Sequence, residues 1–134
     1  MPMILTLYLA TLIPFLILDA VMLTFVLRPL FTQHIGYLMT NLRPIPAVAF
    51  YLCYIGGLIY LVSLPALKTG AALILPSAVL GFLAYGTYEF TNYAIMKDWT
   101  LRMLATDLIW GTTVTATVAC IGVAVTRAIY KGPL

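Results

Sequence analysis

Four apolar runs, at about residues 4–27, 45–64, 71–96 and 100–130, decide what this chain can fold into, because each is long enough to cross a bilayer and little chain is left between them. A hydrocarbon core of ~30 Å takes roughly 20 helical residues at ~1.5 Å rise. Inside lipid every backbone N–H and C=O must be paired within the segment, so single runs of this length are helices. The expectation is an all-α fold, a four-transmembrane-helix antiparallel bundle forming a single integral membrane domain over residues 1–134. Its charged content of 8% is far below the roughly 25% of a soluble domain. The first run is too long for a signal-peptide core and has no basic segment before it, so it reads as a retained helix.

Prolines and charges mark the expected boundaries. Pro14 should kink helix 1, which should end at Arg28-Pro29. Residues 28–43 form loop 1, where Arg28, Gln33, His34, Gly36 and Arg43 alternate with Phe31, Tyr37 and Leu38 in a pattern that suits a membrane interface. Pro44 and Pro46 fit the first turn of helix 2, and Pro65 should stop it. A short loop 2 over residues 65–70, holding Lys68, should make helices 2 and 3 neighbours. Lys97-Asp98-Trp99 is a tight third turn with an interfacial aromatic, and Arg127 and Lys131 close helix 4 at the far surface. Ala49, Cys53 and Gly57, and again Thr112, Ala116, Cys120 and Ala124, recur every four residues as small-residue stripes of the kind that bring helices together in lipid, with Gly81 and Gly86 as further contact points.

The stretch Tyr85-Gly-Thr-Tyr-Glu-Phe-Thr-Asn92 sets a carboxylate, an amide and two phenols inside the third run. Tyr85, Glu89 and Asn92 share a helix face, with Tyr88 beside it. Charged side chains at membrane depth turn toward a bundle interior or a wet cavity and mark functional sites by default. Counted at ~1.5 Å per residue from the loop-1/loop-3 surface, Asp19, Tyr51, Tyr54, Glu89 and Asp107 all fall roughly 8 to 14 Å deep, in one layer. The opposite half of every helix is almost wholly aliphatic.

That one-sided polarity disfavours a pore through one copy, which needs wetting groups across the whole span. It fits a pocket open to one face that takes an amphiphile or lipid headgroup. The candidate ligand-binding residues are Asp19, Arg28, Tyr51, Tyr54, Tyr85, Tyr88, Glu89, Asn92, Asp107 and Trp110. Whether the chain is an enzyme stays open; if it is, Glu89 and Asp107 are the candidate general acid or base, since burial tunes a carboxyl group for proton transfer. Two other classes also fit. The acids can serve only to lock the helices, pairing with Arg28, Arg102, tyrosine hydroxyls and Asn92. Alternatively the chain is a structural, transport or proton-relay subunit, complete as a homo-oligomer or with a membrane-protein partner.

Other chemistries find little support. A net charge of +3 with basic residues at helix ends is phospholipid-facing and argues against nucleic acid. A single histidine, His34, and no HExxH spacing give no metal site, and no cofactor is expected. Cys53 and Cys120 sit at different depths in apolar runs, which suits packing and neither a disulfide nor a nucleophile. Loops 1 and 3 hold four of the seven Lys and Arg residues, too even a division to orient the chain by its charges.

Asp19, Arg28-Pro29, Tyr51-x-x-Tyr54, Tyr88-Glu89-Phe90-Thr91-Asn92 and Asp107-x-x-Trp110-Gly111 together resemble a family of small bacterial four-helix membrane proteins of unknown function, over nearly the whole chain. That family's third-helix motif usually reads Tyr-Asp-Leu-Thr-Asn, where this chain has Glu89 and Phe90, and its tryptophan after the first-helix aspartate is Met22 here. The resemblance implies a multi-pass protein of the bacterial inner (cytoplasmic) membrane and brings no activity with it. The position of Glu89 calls for an acid while tolerating about 1.5 Å of extra reach.

Overall fold

The computed structural model describes residues 2–130, and Lys131, expected to close the last helix, lies outside them. Four helices follow one another: α1, Met3–Leu38; α2, Pro44–Thr69; α3, Ile74–Ile95; and α4, Leu101–Ile129. The chain is an all-α membrane protein. By length and composition α1, α2 and α4 can each cross a membrane, with mean hydropathies of 2.3, 2.0 and 1.8. The 22 residues of α3 also have the length, and the polar stretch within them lowers its apolarity. Large apolar side chains such as Ile17, Phe25, Ile45, Leu75 and Ile109 are exposed around the bundle, as lipid contact requires.

Two prolines expected to end helices do not. Helix α1 passes Pro29 and stays helical to Leu38, and α2 passes Pro65 to Thr69. Both do so by the same device. Proline lacks an N–H, and its ring clashes with the carbonyl four residues back, here Phe25 and Leu61. Each of those residues lies in a five-residue π-helical turn, Leu23–Leu27 and Ile59–Ser63. The wider winding gives the ring room, and α-helix resumes one residue before each proline. Loop 1 therefore shrinks to residues 39–43. What does stop α2 is Gly70, at φ 70° in the left-handed region where glycine carries no steric cost. Pro14 lies within the uninterrupted segment Met3–Met22. At the start of α4 the Thr100 hydroxyl accepts the Met103 N–H at 3.1 Å, a side-chain cap.

Helix α4 is the axis of the bundle: α3 packs along it most extensively, α1 next, and α2 joins through its π turn and last turns. The core between them includes Leu7, Phe15, Ile55, Leu58, Val118 and Val123. A second cluster of Leu30, Ile35, Trp99 and Met103 fastens the extension of α1 to the α3–α4 turn. There the Phe31 and Trp99 rings meet edge to face, 5.2 Å apart. Trp99 is thus buried within the protein.

The small residues that bring helices close are not the expected stripes. A Cβ on Gly81 would lie 2.4 Å from the Gly111 carbonyl oxygen, and one on Gly122 2.0 Å from Thr11 Oγ1. By contrast Ala49 and Cys53 are exposed, a Cβ on Gly57 would touch nothing within 4 Å, and Thr112, Ala116, Cys120 and Ala124 lie half-buried or exposed beside the packing face. A four-residue period is a property of one helix, whereas close packing needs a second backbone opposite it. Cys53 and Cys120 are both free thiols. Two buried hydroxyls return to carbonyls of their own helix, Thr11 to Leu7 and Thr126 to Gly122, each at 2.8 Å, which satisfies them in the dry interior.

Candidate functional site

Helices α2 and α3 meet chiefly at the π turn Ile59–Ser63, so the first turns of α2 stand away from α3. The gap is a cavity of about 610 Å³, lined by Asp19, Leu23, Leu27 and Phe31 of α1, Phe50 and Tyr51 of α2, Ala84, Tyr85, Thr87 and Tyr88 of α3, and Asp107 of α4. Phe50, Thr87 and Tyr88 are exposed and form its outer rim. The α1 row Asp19, Leu23, Leu27, Phe31 advances by four at each step, which keeps it on one side of the helix through the π turn.

The acids sit on the inner wall. Asp19, 3% exposed, accepts the Trp110 indole N–H at 3.0 Å through Oδ1, while its Oδ2 has no hydrogen-bond partner among the described residues. Glu89, fully buried, accepts the Trp99 indole N–H at 3.0 Å through Oε1, while its Oε2 likewise has none among them. Asp107 lies between, beside Glu89 and open to the cavity. The Tyr51 hydroxyl faces Asp19. Each tryptophan is a donor only, so each holds one carboxylate oxygen and fixes the orientation of the other. The Asp19–Trp110 bond ties α1 to α4, and the Glu89–Trp99 bond ties α3 to the turn that follows it.

An aromatic wall backs the acids. Tyr54 and Tyr85 meet edge to face at 6.3 Å, Phe15 and Tyr51 at 5.3 Å, and Tyr88 and Trp99 at 5.6 Å. Tyr85 is seated against Gly111, where a Cβ would fall 2.0 Å from the ring. The Tyr54 hydroxyl shares a buried hydrogen bond with Thr115 Oγ1 at 2.7 Å.

Of the candidates read from sequence, Asp19, Tyr51, Tyr85, Tyr88 and Asp107 line the cavity. Glu89 and Trp110 stand directly behind it, and Tyr54 is one ring further back. Two are not brought there. Arg28 is exposed and directs its guanidinium to the Thr40 carbonyl at 3.4 Å, so it pairs with no acid. Asn92 is half-buried beside the Tyr88 hydroxyl, away from the cavity. The acids thus have indoles, not arginines, as partners. Phe31 and Trp99 were hidden by a loop expected to begin at Arg28 and by an interfacial reading of the third turn. Continuing the four-residue row from Asp19 would have reached Phe31; nothing in the sequence pairs Trp99 with Glu89. Among the described residues no three histidine, cysteine, aspartate or glutamate side chains converge to hold a metal ion.

Fold and site define a four-helix integral membrane protein with an acid- and tyrosine-walled cavity in one half of its bundle. Residues 4–124 match the model of the family described as "Predicted membrane protein (DUF2177)", and the chain belongs to that family. Comparison with curated proteins and with solved structures gave no match.

Proposed function

We propose that the protein binds an amphiphilic molecule, its polar head against Asp19, Asp107 and the tyrosines and its tail leaving past Phe50 and Tyr88 into the lipid of a bacterial cytoplasmic membrane. One observation carries this reading: the acids are half used. Asp19 and Glu89 each commit one oxygen to holding the fold and leave the other unpartnered, and Asp19 and Asp107 stand on the wall of an open cavity. Acids kept only for cohesion would have their remaining lone pairs satisfied, because an unpaired buried polar atom costs about 1–3 kcal/mol. A volume of 610 Å³ falls within the ~300–1,000 Å³ typical of small-molecule sites. The carboxyl groups of Glu89 and Asp107, side by side, could also exchange a proton with a bound head.

Native mass spectrometry of the purified protein tests this. Thr87→Trp places a large ring at the exposed rim and should expel a copurifying amphiphile. Phe82→Trp, on the same helix but off the cavity, should not. Equal retention by wild type and both variants would refute the site.

A further inference from the structure

We infer that the head group taken by this cavity is a cation, an organic ammonium, a refinement that rests on the amphiphile reading above. Among the described residues no lysine, arginine or histidine lines the cavity, so none of them there would neutralise a phosphate, sulfate or carboxylate. What lines it is complementary to positive charge. Asp19 Oδ2 is an acceptor without a partner on a side chain 3% exposed. Asp107, 6% exposed, is on the same wall, and the Tyr51 hydroxyl adds an oxygen beside Asp19. An anion would meet carboxylates in a medium that screens charge poorly, whereas an ammonium is attracted by both acids of the wall.

The remaining walls separate an organic cation from an inorganic one. Phe31, Phe50, Tyr51, Tyr85 and Tyr88 give the cavity aromatic surfaces on several sides. Ring faces attract ammonium groups, most strongly when water is excluded. Ca²⁺ and Mg²⁺ take six or more oxygen ligands, and this wall offers two carboxylates and phenols amid Leu23, Leu27 and Ala84. Two sources share the ammonium chemistry, a bilayer lipid with an amine head and a free lipophilic amine. The rim admits either, since the tail in both cases leaves through the gap between α2 and α3.

The test uses the whole protein in a nonionic maltoside and three probes with the same dodecyl tail: dodecylammonium, dodecanol and dodecyl phosphate. Binding is followed by native mass spectrometry and, in a Trp99→Phe background, by the fluorescence of Trp110, which is hydrogen-bonded to Asp19. The ammonium probe should be held at least tenfold more tightly than the other two. Asp19→Asn should remove about that factor, as should Asp107→Asn, each at a melting temperature measured alongside; if one variant does not fold, the other is read. Displacement of the probe by phosphatidylethanolamine nanodiscs, and not by phosphatidylglycerol ones, assigns the ammonium to a bilayer lipid, and lack of displacement by both assigns it to a free amine. Equal binding of the three probes, a preference for the phosphate, or unchanged ammonium affinity in both folded variants overturns the cation inference and leaves the cavity standing as an amphiphile site. Binding of none of the probes overturns both.

Discussion

Glu89 offers the sharpest separation of structural from functional roles. It accepts the Trp99 indole N–H at 3.0 Å, and the Asp107 carboxyl lies beside it. In Glu89→Gln the amide oxygen can keep the indole bond, and the amide N–H₂ can donate toward Asp107, so nothing is left stranded. Stability should change by less than ~0.5 kcal/mol, the usual scale for substitutions that strand nothing. Glu89→Leu removes the one partner that the Trp99 N–H has among the described residues, a single stranded buried group, for a loss of about 1–3 kcal/mol. Trp99→Phe in the Glu89→Leu background should recover the indole's share, because deleting both partners of a buried bond is far less costly than deleting one. The Phe ring retains edge contacts with Phe31 and Tyr88. Equilibrium unfolding of the wild type, Glu89→Gln, Glu89→Leu, Trp99→Phe and the Glu89→Leu/Trp99→Phe double variant in mixed micelles, with denaturing detergent as the variable, closes the cycle. Additive effects, or a Glu89→Gln as unstable as Glu89→Leu, would refute the arrangement. With stability unchanged, loss of amphiphile retention in Glu89→Gln would place the acid in the site's chemistry, while full retention would confine it to holding the Trp99 turn.

Other variants probe the packing and the wall. Gly111→Ala puts a methyl 2.0 Å from the Tyr85 ring and should cost at least ~1–3 kcal/mol in the same unfolding assay, whereas Gly57→Ala, with nothing within 4 Å of its Cβ, should leave the midpoint unchanged. Gly122→Ala should destabilise through its clash with Thr11 Oγ1 at 2.0 Å, and Thr11→Ala should rescue it in the double variant. Tyr54→Phe or Thr115→Val should each lower stability by about 1 kcal/mol, and the pair together by less than the sum, because they share one buried hydrogen bond.

Much of this architecture was legible in the sequence for a local reason. In lipid a segment must satisfy its own backbone, so the apolar runs alone imply four helices, and the cost of charge at depth alone turns Asp19, Glu89 and Asp107 inward. The common depth of these acids follows from counting residues along rods of known rise. Tertiary structure decided the rest. Pro29 and Pro65 end a helix when considered alone, but π turns held by neighbouring helices absorb both rings and lengthen α1 by a segment that carries Phe31 to the cavity. The stripe Ala49, Cys53, Gly57 and the contact Gly81 to Gly111 look equally suited to packing from sequence, and only the second has a backbone opposite it. The partners of the acids could not be read either, since Arg28 is as near to Asp19 in sequence as Trp110 is far, and the fold brings the indole and turns the arginine away. Helices in lipid are specified one at a time by the solvent around them, whereas cavities, close approaches and charge partners exist only between helices and depend on how those helices lean together.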